Sequence, residues 1–324
     1  MRIEFRLPVF FILALAVTCS AHAQTWPTRP LRMIVPFAAG GTTDITARLI
    51  APRMQQALGQ PVLVENRTGG GGTIATEFVA KSVPDGYTLL MAGGGPTIIA
   101  PLAPKPRYDS LRDLAPISNV NTNPQVLLVH PAVPAQNVRE LIAYAKANPG
   151  KLNFGTAGIG SLIHVSAEVF NHMAGVNTVL VPYKGGVPAT AAAIAGEVQL
   201  TFANPSDAIA QIKSGKLRAL AVTGSARLAQ TPDLPTITTS GLPGFVIETF
   251  NGVVAPSGTS PEIIARLSRV VQEIIRDSTI SQRMTELGTT PIGDTPEQFR
   301  AYLQAQIDFW AKSLRESGIK LEEN

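Results

Sequence analysis

Apolar runs of strand length alternate with stretches of helix length along residues 31–92. Three runs predict strands, at 31–36, 62–64 and 87–92. A helix is expected to begin at about Thr43, with Pro52 kinking or dividing it, and a second helix over 73–82. This alternation favours a parallel sheet with helices on both faces.

A second series of the same kind follows. Its predicted strands are at 125–129, 152–155, 178–182, 198–202 and 217–222. Its predicted helices are at 137–147, 161–173, 188–195 and 206–214. Two such series predict an α/β protein with two doubly wound, Rossmann-like domains.

The remaining chain changes character. Residues 226–248 are irregular and rich in proline and glycine, 253–255 predict one more strand, and 260–324 are helical. The final helix should begin with Thr295 as its N-cap, because proline and glutamine follow at suitable positions. We assign the aromatic stripe of this helix to the core, since that spacing is typical of a buried face.

The N-terminus carries the three parts of a secretory signal peptide. Arg2 and Arg6 precede an apolar stretch at 7–17, and an A-x-A pattern ends at Ala23. We therefore expect cleavage after Ala23, with a buried N-terminal helix as the alternative. Cys19, the only cysteine, lies in this segment, so the mature chain should have no disulfide and no thiolate. No later apolar run reaches about 18 residues, which predicts a soluble mature chain.

Composition excludes two broad classes of protein. The 324 residues are 45% hydrophobic and 15% charged, which is not the composition of a disordered chain. The formal net charge of +4 is spread along the sequence without a basic run, so a nucleic-acid partner is not expected. His130 and His172 have no partners at ligand spacing, and no metal site is predicted.

Three loops lie where predicted strands hand over to helices. They are 36–44, 92–97, which contains Thr97, and 155–161. Ligands of open α/β sheets bind at the carboxyl ends of strands, which is where these loops should lie. The first loop contains Gly40, Gly41, Thr42, Thr43 and Asp44.

Glycine N–H groups, threonine hydroxyls and a helix N-terminus together can hold a small anion, although a plain helix N-cap with two turn glycines fits equally well. Asp44 is expected to cap the helix or hold this loop rather than face the anion.

The loop at 155–161 repeats this arrangement. It contains small residues and ends in a serine at a predicted helix start; its candidate residues are Thr156, Ala157, Gly158, Gly160 and Ser161. His164, one turn into the helix, is expected to be a structural hydrogen-bonding group that ties the loop. Two such loops on two domains can close on a ligand from opposite sides.

Signals for an enzyme are poor. Ser161 is not in a G-x-S-x-G elbow, and the chain has neither a P-loop lysine nor an H-E-x-x-H motif. Gly70, Gly72 and Ala75 match the G-x-G-x-x-A dinucleotide pattern, but the strand at 87–92 ends without an acidic residue for a ribose hydroxyl. An exported NAD(P)-dependent oxidoreductase is therefore the alternative hypothesis from a different class.

Eight short motifs in one collinear order carry a family resemblance. They are LRMIVPFAAGGTTD at 31–44, GQPVLVENR at 59–67, PDGYTLL at 84–90, PGKLNFG at 149–155, VPYKG at 181–185, SGKLRALAVT at 214–223, APSGT at 255–259 and GDTPE at 293–297. The set resembles the Bug family, the periplasmic solute receptors of tripartite tricarboxylate transporters.

The resemblance implies a Venus flytrap of two α/β domains around a cleft. Domain 1 would comprise 24–123 and 249–324, and domain 2 would comprise 124–248. It further implies a periplasmic monomer that binds a small carboxylate without catalysis or cofactor and delivers it to inner-membrane permease subunits. A receptor that signals without transport needs the same closure and stays open as an alternative.

The resemblance also implies where the ligand lies. The first cleft loop runs from Phe37 to Asp44, and the second cleft loop covers 156–161 with His164 behind it; Tyr183, Gly185 and Asn204 complete the site. Family members often carry an aspartate before this asparagine, but this chain has Ala203. The missing acidic group leads to the hypothesis of a carboxylate ligand without an amine.

Overall fold

The structure is a computed structural model that describes residues 26–319 and residue 321. The predicted signal peptide and its cleavage position lie outside the described residues. The strands are β1 (Leu31–Val35), β2 (Val62–Asn66), β3 (Thr88–Gly93), β4 (Leu114–Pro124), β5 (Val126–Val129), β6 (Asn153–Thr156), β7 (Val179–Pro182), β8 (Leu200–Ala203), β9 (Arg218–Val222), β10 (Glu248–Pro256) and β11 (Thr290–Pro291). The helices are α1 (Thr42–Leu58), α2 (Thr73–Ala80), α3 (Ser110–Asp113), α4 (Val138–Ala147), α5 (Leu162–Ala174), α6 (Gly186–Ala195), α7 (Pro205–Ser214), α8 (Pro261–Arg276), α9 (Ser278–Glu286) and α10 (Pro296–Ser317).

These elements form two sheets. A six-stranded sheet has the order β11-β4-β10-β3-β1-β2, and a five-stranded sheet has the order β7-β6-β8-β5-β9. We call the first sheet with its helices lobe 1 and the second with its helices lobe 2. In lobe 1, β1 pairs in parallel with β2 and β3, and in lobe 2, β6 pairs in parallel with β7 and β8.

Both sheets are mixed, so the parallel pairing expected from the alternation holds for part of each sheet. Strand β10 runs antiparallel to β3 and β4, and β5 runs antiparallel to β8 and β9. The chain passes between the lobes at β4, β5 and β10, whereas β11, which is also antiparallel to β4, lies within lobe 1. Only Gln125 separates β4 of lobe 1 from β5 of lobe 2, and β10 carries the chain back into lobe 1 after β9.

Strand β4 was not predicted, because its sequence is rich in asparagine. Asn121 and Asn251 are buried, and the Nδ2 of Asn251 donates to the Oδ1 of Asn121 at 2.8 Å. The Nδ2 of Asn121 in turn donates to the hydroxyl of Thr46 on α1 at 3.2 Å. Hydrogen bonds between side chains of different elements therefore allow this polar strand to be buried.

Two predictions about helices have different outcomes. Helix α1 is continuous with Pro52 inside it, so the expected division does not occur. Pro52 has no N–H group to donate to the carbonyl of Arg48, four residues earlier. Both residues are exposed, so water can donate to this carbonyl instead. The predicted start of α10 is confirmed, since Thr295 and Gln298 form a capping box.

Apolar residues cover both faces of each sheet. In β1, Ile34 packs into one cluster and Met33 into another, as expected from the period of two in a strand. The cluster that contains Ile34 extends into lobe 2, where it includes Phe154 and Phe202, and Phe250 of β10 belongs to it as well. The lobes are thus joined by a continuous apolar core as well as by the passing chain.

Within residues 26–319 and residue 321, no helix has both the length and the apolar character that crossing a bilayer requires.

Candidate functional site between the lobes

Four helices begin at the cleft between the lobes. Helix α1 follows β1, and α5, α6 and α7 follow β6, β7 and β8. Carboxyl ends of parallel strands meet at one edge of a sheet, so each lobe presents its helix N-termini at that edge. The N-cap residues are Gly41, Ser161, Gly185 and Asn204.

A cavity lies at this meeting point. Its volume is about 50 Å³, counted as space open to the centre of a water molecule. Seven of the predicted site residues line it: Phe37, Gly41, Thr42, Thr43, Ala157, Ser161 and Asn204. Ala38, Gly93, Gly94 and Gly95, which lie in the predicted loops, also line it. The lining residues outside those loops are Gln125, Leu162, Ile163, Gly186, Val187, Asp207, Thr249, Phe250 and Asn251. Among these described residues there is no lysine, arginine or histidine, and Asp207 is the single acid.

Residues at three helix starts line the cavity. Six backbone N–H groups belong to these first-turn residues: those of Thr42 and Thr43, of Leu162 and Ile163, and of Gly186 and Val187. In the described part of the chain, none of these six groups makes a hydrogen bond. Unpaired first-turn N–H groups carry the partial positive charge of a helix N-terminus, which makes this wall suited to an anion.

Asp44 holds the first cleft loop in place. Its buried carboxylate accepts hydrogen bonds from Gly40 N at 2.9 Å, from Asn66 Nδ2 at 2.8 Å and from Arg48 Nε at 3.0 Å. Burial acts to raise the pKa of Asp44, but the hydrogen bonds from Arg48, Gly40 and Asn66 outweigh it and hold that pKa below its usual value. Of the two roles expected for Asp44, the structure therefore shows loop holding, while the N-cap Gly41 has no side-chain cap.

His164 lies behind the second cleft loop and outside the cavity wall. Its backbone N–H donates to Ser161 Oγ at 3.2 Å, and its Nδ1 is 3.5 Å from Thr156 Oγ1. On the other side of the ring, Nε2 is 3.9 Å from Glu168 Oε1. This geometry is that of a group that ties the loop to α5.

The other predicted residues do not line the cavity: Gly40, Thr97, Thr156, Gly158, Gly160, Tyr183 and Gly185. The hydroxyl of Tyr183 instead lies 3.4 Å from Glu197 Oε2 in lobe 2. Gly185 has a φ of 140°, and a Cβ there would lie 3.2 Å from Ala38 N of lobe 1. Gly185 thus lies at the contact between the lobes. Glycine there allows both the positive φ and the close approach of the Ala38 backbone.

Backbone and hydroxyl groups of the two lobes touch directly. The hydroxyl of Thr42 in lobe 1 is hydrogen-bonded to that of Ser206 in lobe 2. A Cβ on Gly71 would lie 2.2 Å from Ile159 O, and one on Gly95 would lie 2.7 Å from Leu162 N. The lobes are therefore closed on each other, and glycines make this closeness possible. Gly71 lies in the run that resembled a dinucleotide-binding pattern, and here that run packs against the second cleft loop.

Asp207 is the main site residue that sequence reasoning missed. Its Oδ1 is 3.2 Å from the hydroxyl of Ser206, while its Oδ2 is shielded from solvent and has no hydrogen-bond partner among the described residues. Burial raises the pKa of Asp207 to about 7. The available signal was its position in the first turn of the helix predicted after the strand at 198–202, a helix that begins at Asn204 without a glycine-rich loop.

Ala203 bears on the expected ligand. Its side chain is fully buried in the core of lobe 2, away from the cavity wall. The hypothesis of a ligand without an amine rested on Ala203 and stays a prediction, but Asp207, four residues further along, does supply an acidic group at the cavity wall.

Comparison with known families identifies the chain. The sequence model described as "Tripartite tricarboxylate transporter family receptor" matches residues 46–319. The chain belongs to this family. Protein BugT of Bordetella pertussis is 38% identical over 314 residues, which cover 96% of this chain and 96% of that protein.

Solved structures show that members of this receptor family share the fold. The structure of periplasmic binding protein BugD superposes with a TM-score of 0.87 at 36% identity, covering 91% of this chain and 99% of that one. R. palustris Rpa4515 with adipate gives a TM-score of 0.86 at 35% identity, covering 91% and 99%. The predicted α/β architecture of two lobes around a cleft is thus confirmed. The family to which the chain belongs is one of solute receptors.

The raised pKa of Asp207 predicts a pH dependence of stability. An acid whose pKa is higher in the folded protein stabilises it at low pH, and this contribution is lost as pH rises through the folded value. As the pH rises from about 4.5 to about 8, the free energy of unfolding of the ligand-free parent should therefore fall by on the order of 2 kcal/mol more than that of the Asp207→Asn variant. Urea unfolding of both proteins at several pH values measures this difference. Parallel curves would contradict the expectation and show a solvated carboxyl.

Proposed function

We propose that this protein is an exported, periplasmic receptor that captures a small organic carboxylate between its lobes. It delivers the ligand to inner-membrane permease subunits of a tripartite tricarboxylate transporter, acting as a monomer without cofactor or catalysis. The observation that carries the proposal is the set of unpaired first-turn N–H groups of α1, α5 and α6 along one cavity. Family membership supports the transporter partner.

The donors at the site are neutral, which suits a ligand that must be released again. The N–H groups of one helix N-terminus stabilise a nearby anion by about 0.3–2 kcal/mol. They do so without the large desolvation cost of burying a lysine or arginine. The hydroxyls of Thr43 and Ser161 add donors from opposite lobes. The similar solved structure, R. palustris Rpa4515 with adipate, contains a carboxylate of the proposed class.

Closure follows from contact with both lobes. We propose domain 1 as 24–123 with 249–324 and domain 2 as 124–248, with the hinge where the chain passes between them. There, Gln125 N donates to Thr223 Oγ1 and Thr223 N donates to Gln125 O, both at 2.8 Å. A ligand that meets donors of α1 and α5 together does so only in the closed state, so binding favours closure.

The two alternatives differ in what they require. A receptor that signals to a membrane sensor uses the same closure and the same cavity. A dinucleotide-dependent oxidoreductase needs the run at Gly70, Gly71 and Gly72 to face a pyrophosphate, whereas a Cβ on Gly71 would meet lobe 2 backbone at 2.2 Å. No feature of the described structure favours this enzyme over the receptor.

A thermal unfolding panel tests the proposal directly. The protein, residues 24–324, is stripped of bound ligand by unfolding and refolding, then scanned with mono-, di- and tricarboxylates, amino acids, aromatic acids and NADH. An acid at about 100 times its Kd should add about 2.7 kcal/mol, a rise in Tm of several degrees at most. A shift with NADH alone would support the oxidoreductase instead, and no shift with any acid would contradict the receptor.

Thr43→Val tests the first cleft loop. Thr43 lines the cavity and its hydroxyl makes no hydrogen bond in the described structure. Loss of a donor to a carboxylate should weaken binding of the acid found in the panel by about tenfold, with the Tm of the ligand-free protein almost unchanged. Titration calorimetry measures the affinity.

Thr190→Val is the matched control. Thr190 is buried on α6, its hydroxyl also lacks a partner, and it lies outside the cavity wall. Its replacement should leave the affinity unchanged. Equal affinity in the Thr43 variant and the parent would remove Thr43 from the site.

Gly95→Ala tests closure. The added Cβ would lie 2.7 Å from Leu162 N and 2.8 Å from Ser161 Cα, so the lobes cannot close fully. The backbone at Gly95 is not left-handed, and the open protein should tolerate the change. We expect at least tenfold weaker binding and loss of the ligand-induced fall in the radius of gyration, measured by small-angle X-ray scattering. Normal compaction in the variant would show that these glycine contacts do not limit closure.

A further inference from the structure

Asp207 occupies an unusual position for a buried acid. It is the third residue of α7, after the N-cap Asn204, and it lines the cavity. Its Oδ2 is shielded from solvent without a donor in the described structure, and a Cβ added at Gly186 would lie 3.6 Å from it. Since Gly186 also lines the cavity, this oxygen lies beside the space that a ligand would occupy.

Stabilisation of α7 does not explain this placement. An acid in the first helical turn gains about 0.3–1 kcal/mol from the helix dipole. A buried polar atom without a partner costs about 1–3 kcal/mol, and a charged one costs more. Asp207 also does not accept from the N-cap backbone N–H, as an acid in a capping box would. The net cost indicates that the partner of Oδ2 comes from outside the protein.

A second polar side chain at the cavity is in the same situation. Gln125 is 1% exposed and lines the cavity. Its side chain makes no hydrogen bond among the described residues, and its Oε1 is buried without a partner. The cavity therefore has two kinds of wall. Donors without acceptors lie at the starts of α1, α5 and α6, and acceptors without donors lie at Asp207 and Gln125.

Among the described residues that line the cavity, no cation balances Asp207. A ligand that matches both walls needs a carboxylate for the N–H groups and a positively charged donor for the acid. An ammonium group supplies three donors and one charge, which fits one carboxylate oxygen and one amide oxygen.

We propose that Asp207, with Gln125, binds the ammonium group of a zwitterionic ligand, so that this receptor selects amino acids over carboxylates of the same skeleton without an amine. The proposal rests on the proposed receptor function and narrows its ligand class. It is the opposite of the amine-free ligand expected from the sequence. That expectation rested on the alanine at position 203, whereas Asp207 supplies an acidic group at the cavity.

Three pairs of acids test the proposal: aspartate and succinate, glutamate and glutarate, and alanine and propanoate. Titration calorimetry on the ligand-stripped protein gives the ratio of Kd values in each pair. In every pair that binds, the amine-containing member should bind at least tenfold more tightly. Asp207→Asn should reduce this preference at least tenfold, and Asp207→Ser serves as a second variant if the first does not fold.

Asp233→Asn is the matched control, since Asp233 is exposed in the segment after β9, outside the cavity wall, and its replacement makes the same change of net charge. It should keep the parent's ratio. Equal or tighter binding of the amine-free acids by the parent would overturn the proposal but leave the carboxylate receptor standing. An unchanged ratio in both Asp207 variants would overturn it as well. Binding of no acid in any pair would overturn this proposal, whereas the receptor function is decided by the wider thermal unfolding panel.

Discussion

The N-termini of α1, α5, α6 and α7 lie at one cavity, and the rest of the structure is arranged around that fact. Each lobe places parallel strands so that the following helices begin at the edge that faces the other lobe. The wall needs no basic side chain, since unpaired first-turn N–H groups carry the positive potential themselves. Small residues at these helix starts, such as Gly41 and Gly186, keep the backbone open to a ligand.

Side chains behind this wall hold it in shape. Asp44, Asn66 and Arg48 secure the first cleft loop, and His164 ties the second one to α5. All of these polar groups have partners within the protein, as is usual for buried groups. Asp207 differs because one of its oxygens has none in the described structure. This contrast separates groups that build the site from a group available to a ligand.

Two features join the lobes next to the site. The passing chain at Gln125 and Thr223 is joined by reciprocal hydrogen bonds, and Gln125 also lines the cavity. Glycines at the lobe contact, including Gly71 and Gly95, allow backbone to approach backbone. Close packing without side chains means that full contact is made in one closed arrangement, whereas larger residues there would hold the lobes apart.

The sequence by itself determined the βα units, the two glycine-containing cleft loops and the start of α10, because hydrophobic period, turn residues and caps act over a few neighbouring positions. Most of the predicted strands and helices exist within a few residues of their expected ends. Tertiary structure alone decided the rest. The asparagines of β4 are buried only because α1 and β10 supply their partners, and Asp207 reaches the cavity only because α7 meets α1 across the cleft. Such hydrogen bonds and burial join residues far apart in the chain, and no local pattern encodes them.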